Sequence, residues 1–249
     1  MDGVLTVSWE PIPGAVEVVG LLRAKDIPFR IMTNTTSHTR AALAGELRAV
    51  GFDVEAGEVM TAPVATAEYL RERHPGVRVF LLGETGVAGD LDGITLVDDE
   101  PADVVVVGGA DQAFTFDSMN RAYRMLIAGA AFVAMHRNMS WMTSEGLCLD
   151  AGAYVLGLET ATGRTATVTG KPSAEFFGAG LHALGLPPER VAMIGDDVET
   201  DVLAAQLLGM TGVLTRTGKF REEDLARASG TPDVVVDSVA DAPAALGIA

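Results

Sequence analysis

RVAMIGDDVETD, residues 190–201, decides how this chain is read. Residues 191–194 are apolar, Gly195 permits a tight turn, and Asp196, Asp197, Glu199 and Asp201 follow within six positions. A short apolar run closed by a turn signal is the pattern of a strand covered on both faces. In open α/β sheets, chemistry gathers at the carboxyl ends of the strands. Carboxylates crowded on one turn repel each other and are hard oxygen ligands, which points to a bound Mg²⁺. The plainer alternative makes Asp196 or Asp197 a helix cap and leaves Asp201 on a solvated face.

The same pattern repeats outward along the chain. PFRIMT (28–33), VRVFLL (77–82), DVVVVG (103–108), AAFVAM (130–135), TGVLT (211–215) and DVVVD (233–237) also read as strands. Helical spacing occupies residues near 14–25, 38–50, 63–73, 117–128, 174–184, 198–208 and 238–246, with a short helix near 152–161. Alternating strands and helices predict an α/β fold with a Rossmann-like parallel sheet. The loop-rich acidic stretch 83–100 and the polar stretch 136–165, expected to be irregular apart from its short helix, are candidate edges of an inserted unit.

Composition narrows the function classes. The chain has 249 residues, 48% of them hydrophobic and 21% charged, which is globular composition. With 18 basic against 34 acidic side chains the net charge is −16. Nucleic acids and anionic membranes call for a basic footprint, so neither is an expected partner. No apolar run reaches the ~18 residues of a membrane span, and no basic-then-apolar leader opens the chain, so a cytoplasmic location is expected. Cys148 is the only cysteine, which excludes an internal disulfide, and it is expected to be packed. The four histidines lack metal-ligand spacing.

Three more segments join the acidic turn. Thr33-Asn34-Thr35-Thr36-Ser37 follows a strand and precedes a helix; such donors suit a phosphate or an ordinary helix cap. Gly170-Lys171-Pro172-Ser173 precedes another helix, with Pro172 expected at its first position; a lysine there can bridge a phosphate and a carboxylate. Asp2-Gly3 at the N-terminus is a turn signal. Each is weak alone, but the order DGVLT, Thr-Asn, GKP, GDDxxxD resembles the haloacid dehalogenase superfamily of phosphohydrolases. GFDV with EVMTAP (51–54, 58–63), GLCLDAGAYVLGLETATGR (146–164), TVTGKPSAEFF (167–177) and RTGKFR (216–221) extend the resemblance to the subgroup with a large α/β cap.

The resemblance implies a core from 1–76 and 165–249 and a cap from 77–164. It implies Mg²⁺-dependent hydrolysis of a small phosphorylated substrate through an aspartyl-phosphate, with homodimers paired through the cap. Asp2 matches the general acid and base, whose backbone carbonyl also ligates Mg²⁺. Thr33 and Asn34 match the phosphate-binding segment, Lys171 the lysine that neutralises phosphate and nucleophile, Asp196 the Mg²⁺ ligand and Asp201 a supporting carboxylate. His136, Arg137 and Trp141 fall in the cap as candidates to face the substrate.

The nucleophilic aspartate of the family stands two positions before Asp2, outside this sequence, as does the apolar strand that leads into it. Six ladder hydrogen bonds at ~1 kcal/mol and three buried side chains at ~1.5–3 kcal/mol make that strand worth roughly ten kcal/mol, comparable to a domain's whole stability. A start assigned too late, inside an Asp-Met-Asp-Gly motif, is therefore the expectation. The alternative is a catalytically inactive relative that binds phosphate compounds or a protein. Asp90-Leu91-Asp92-Gly93 spells the same motif in full, but GETGVAG (83–89) before it cannot form a buried strand, so an acidic turn is expected there.

Overall fold

The computed structural model describes residues 1–99, 101–109, 112–143 and 146–248. In chain order the strands are β1 (Thr6–Val7), β2 (Glu10–Pro11), β3 (Ile31–Thr33), β4 (Val59–Thr61), β5 (Arg78–Leu82), β6 (Thr95–Leu96), β7 (Val104–Val107), β8 (Ala131–Ala134), β9 (Ser140–Thr143), β10 (Gly146–Leu149), β11 (Thr167–Val168), β12 (Ala192–Gly195), β13 (Thr211–Thr215) and β14 (Val234–Val236). The helices are α1 (Ala15–Ala24), α2 (Arg40–Ala49), α3 (Ala62–Arg73), α4 (Phe116–Ala128), α5 (Ala151–Thr162), α6 (Ala174–Leu184), α7 (Ala204–Gln206), α8 (Glu222–Arg227) and α9 (Ala242–Ala245). The fold is α/β, and the chain divides into two compact units.

The first unit comprises Met1–Thr33, Arg40–Met60 and Lys171–Ala249. It contains the parallel sheet β12–β13–β14, the pair β3–β4 and the small antiparallel hairpin β1–β2. Val18 and Val19 of α1 and Leu43 and Leu47 of α2 share one apolar cluster with Ile31 of β3. Phe177 of α6 packs with Ala205 and Met210 in another. The segment expected as a single helix over 198–208 opens as a π-helical turn, Val198–Leu203, before α7.

The second unit comprises Asn34–Thr39 and Thr61–Gly170. Its sheet runs β11–β8–β7–β5–β6, and every pair is parallel. All four valines of β7 are buried, as a central strand covered on both faces requires. Side chains alternate along a strand, so Val105 and Val107 face the cluster holding Met125 and Leu126 of α4 and Val155 of α5. Val104 and Val106 face Ala67 and Leu70 of α3.

Three expectations are corrected. Residues 140–149 are not irregular but form the antiparallel hairpin β9–β10, with Leu147 opposite Met142. No residue of β10 is buried, so the hairpin carries no core-facing alternation that a sequence pattern could reveal. Cys148, on that hairpin, is exposed rather than packed. Pro172 does not begin α6: Ser173 is the cap, its hydroxyl accepting from the Phe176 amide at 3.2 Å, and the helix starts at Ala174.

Candidate active site

The acidic turn after β12 assigns a separate job to each of its carboxylates. Asp197 caps the π-helical turn, its Oδ1 accepting from the amides of Glu199 at 3.1 Å and Thr200 at 2.9 Å. Glu199 holds Ser229, accepting from its amide at 2.6 Å and its hydroxyl at 2.8 Å. Asp201 is buried and accepts from Lys171 Nζ at 2.7 Å. Asp196 is buried at the end of β12, where its Oδ2 accepts from the Lys219 amide at 2.8 Å. The cap reading therefore holds for Asp197, whereas Asp201 is not on a solvated face.

Burial is the main cause that pushes the Asp196 carboxyl above the ordinary carboxylate range; the Lys219 amide opposes the shift and Asp201 adds to it. Its surroundings are built from glycines. A side chain at Gly3 or at Gly218 would collide with the Asp196 carboxylate, and both glycines have positive φ, +78° and +59°. Thr217 Oγ1 donates to the Gly3 carbonyl, which ties the Asp2-Gly3 turn to the loop after β13. Asp2 itself is exposed. The Met1 ammonium has a pKa lowered to about 6, first by burial and then by Lys171, with Asp201, Asp196 and Asp2 opposing.

The first unit thus brings Asp2-Gly3, Lys171, Asp196 and Asp201 to the carboxyl ends of its strands, where Thr33, also buried, ends β3. Asn34 is the first residue of the second unit. Within that unit a side chain at Gly170 would collide with the Met135 carbonyl and press on Asn34 Oδ1, so glycine lets the asparagine lie there. The loop Gly218-Lys219 against Asp196 went unread in the sequence. RTGKFR was visible, but not which carboxylate its backbone would meet.

The inserted segment is sorted as well. His136 is buried, with Nε2 at 3.9 Å from Asp150 Oδ1 and Nδ1 accepting from the Asn138 amide at 3.3 Å. Burial lowers the His136 pKa, and Asp150 opposes. Arg137 is paired with Glu159. These two side chains are thus engaged within their own unit; the Trp141 side chain lies outside the described residues. Asp90-Leu91-Asp92-Gly93 follows no strand, since Thr85–Asp90 form a 3₁₀ turn.

This order of strand ends agrees with comparisons to known proteins. A haloacid dehalogenase-like hydrolase model matches residues 1–96, and a HAD-hydrolase-like model matches 168–242. Human haloacid dehalogenase-like hydrolase domain-containing protein 2 is 35% identical over 238 residues, 96% of this chain and 90% of that protein. The chain belongs to the haloacid dehalogenase-like hydrolases. The phospholysine phosphohistidine inorganic pyrophosphate phosphatase of Rattus norvegicus is 37% identical over 93% of this chain and 84% of its own length. A p-nitrophenyl phosphatase from Archaeoglobus fulgidus superposes with a TM-score of 0.90 at 31% identity, covering 98% of this chain and 96% of that one. A glycerol phosphate phosphatase from Mycobacterium tuberculosis, in complex with magnesium, does so with a TM-score of 0.85 at 25% identity, covering 96% and 73%. The chain is accordingly a phosphohydrolase of the HAD type. No helix among the described residues is long and apolar enough to cross a membrane.

Two outcomes follow from the charges. Lys171→Met strands the Asp201 carboxylate, whose side chain is only 5% exposed. Breaking such a pair costs about 3–5 kcal/mol, and Asp201→Asn added to Lys171→Met recovers part of it in urea titrations. His136 has its folded pKa below the model value of 6.5, so the unfolded chain binds the proton first as pH falls. Stability is lost below that pH, and His136→Asn flattens this part of the dependence in melting curves between pH 7.5 and 5.5.

Proposed function

We propose that this fold performs Mg²⁺-dependent hydrolysis of a small phosphorylated molecule through an aspartyl-phosphate, the nucleophile being an aspartate two positions before Asp2. The observation that carries the reading is the meeting of the Gly3 turn with the buried Asp196 carboxylate in the same unit that holds the buried Lys171–Asp201 pair. The donor set fits the ion. Asp196 is a hard oxygen donor desolvated enough to raise its pKa, and the described hydrogen bond to it is a neutral amide. In this reading the Asp196 carboxylate and the Asp2 backbone carbonyl hold Mg²⁺, and Asp201 supports them. The ion supplies charge neutralisation at the phosphoryl oxygens.

The chain's own residues do the remainder. Lys171, oriented by Asp201, neutralises phosphate oxygens, and Thr33 and Asn34 donate to them. The aspartate before Asp2 attacks phosphorus and the ester oxygen leaves, taking its proton from the Asp2 carboxyl. Asp2, now ionised, takes a proton from water, whose oxygen attacks the phosphoryl group and releases phosphate and the free aspartate. Electrostatics and positioning carry such a reaction, which is why the site is dense in charge. Homodimers paired through the inserted unit belong to the same reading; Leu147 and Leu149, outward on β10, support it.

The test uses the chain extended upstream so that it reads Asp-Met-Asp-Gly. Phosphate release from p-nitrophenyl phosphate, glycerol phosphate, phosphohistidine and inorganic pyrophosphate is expected with MgCl₂ and is lost with EDTA. Asp196→Asn is expected to lower kcat/KM by at least about 10²-fold, the scale of removing one preorganised electrostatic group. If the extended chain binds phosphate compounds but releases none, the inactive binding-module reading replaces this one.

A further inference from the structure

The first unit contains two sheet edges that face a common opening. Among the described residues β12 pairs with β13 alone, and β3 pairs with β4 alone. Their sequences are those of interior strands, yet their burial is not. Ala192, Met193 and Ile194 of β12 are only half-buried, whereas Gly212, Val213, Leu214 and Thr215 of the adjoining β13 are all buried. Between the edges lies a cavity of about 410 Å³, lined by residues 29–32 of the β3 segment and 191–194 of the β12 segment. Val18 and Val19 of α1 and Phe177 and Leu181 of α6 also line it. Helix side chains that normally cover a sheet here surround empty space.

Backbone amides and carbonyls along such an edge need partners, and an extended segment laid between two edges satisfies both at once. The room is one strand wide in kind: it has backbone edges at two sides and apolar helix side chains above and below. Its occupant is indicated at one end. Met1 lines the cavity, and its nitrogen donates to the Met32 carbonyl at 3.4 Å, which is the position of a first rung on the β3 edge. Lys171 and Asp201 line the same opening. A segment entering Met1 from upstream would therefore run parallel to β3 and end beside these charges.

We infer that this opening is a strand site, filled by an extended, continuously apolar segment of about five residues joined to the Met1 nitrogen and hydrogen-bonded in parallel to β3 and β12. The chemistry of the occupant follows from the walls. Both faces are apolar, so neither alternation nor charge suits it, and a proline would remove a ladder donor. The identity of its last residue as the nucleophile rests on the function proposed above; the strand itself does not.

The experiment separates the two. The chain is made as given, with five apolar β-branched residues plus asparagine before Met1, and with a Gly/Ser extension of equal length. Asparagine in place of aspartate keeps catalysis out of the readout. Hydrogen exchange is expected to slow by at least about tenfold at Ile31–Thr33 and Ala192–Gly195 with the apolar extension and not with the Gly/Ser one. The same apolar hexapeptide, added in trans to the chain as given, is expected to protect the same amides, so an aggregating fusion does not block the test. Unchanged exchange with the extension or with the peptide at its solubility limit overturns the inference, as does equal protection by Gly/Ser. If protection appears but the aspartate version releases no phosphate, the strand site stands and the catalytic proposal falls.

Discussion

A parallel strand must be hydrogen-bonded on both sides and covered on both faces, and most of this molecule follows from meeting that demand. The second unit meets it in full at β7, whose four valines are buried between β5 and β8 and between α3 and the α4–α5 layer. The first unit meets it at β13, which lies between β12 and β14. At β12 and β3 the helices are in place and the lateral neighbour is not. The helices do not close over the gap because each is held elsewhere: α1 with α2 and the 52–59 segment, α6 through Phe177 on Ala205 and Met210. The cover of a sheet is thus fixed by its own packing and keeps the shape of the strand it was built to cover.

The same geometry concentrates charge. Strand ends in a parallel sheet all point one way, so loops that carry polar residues gather at one edge. Asp196 and Asp201 are both buried there, and two buried carboxylates are costly unless cations answer them. Lys171 answers Asp201 directly. Asp196 receives an amide, and its raised pKa expresses what remains uncompensated. That imbalance is the physical reason to expect a cation at Asp196 and none at Asp197 or Glu199, whose oxygens already serve a helix start and Ser229.

Much of this was legible in the sequence, and the boundary of legibility has causes. Long apolar runs such as DVVVVG announced β7 because a doubly covered strand needs no alternation. The π-helical turn after Asp197 was read as plain helix, since an acidic N-terminus looks the same for either. The β9–β10 hairpin was invisible because none of β10 is buried, leaving no period to detect. That α3 would cover the second unit's sheet could not be told from its spacing, because an amphipathic helix shows that it has a buried face and not what lies against it. At the site, the residue types and order named Asp2, Thr33, Asn34, Lys171, Asp196 and Asp201. The glycine contacts at Gly3 and Gly218 that shape the space around Asp196 needed three dimensions.

The placement of those glycines bears on how the site can work. Gly3 and Gly218 both press on Asp196 from positive-φ turns that no other residue adopts without strain, and Thr217 links them through the Gly3 carbonyl. The N-terminal turn is thereby anchored to the loop after β13 and does not depend on what precedes Met1 for its position. A segment joined upstream would be delivered to a turn already in place, beside a carboxylate already desolvated and a lysine already oriented by Asp201. Preorganised charge of this kind is what phosphoryl transfer asks of a protein, because the reacting group brings several negative oxygens and offers little covalent chemistry to assist. The electrostatic half of the site is therefore complete within the first unit, and the nucleophile is the part that the strand site between β3 and β12 would supply.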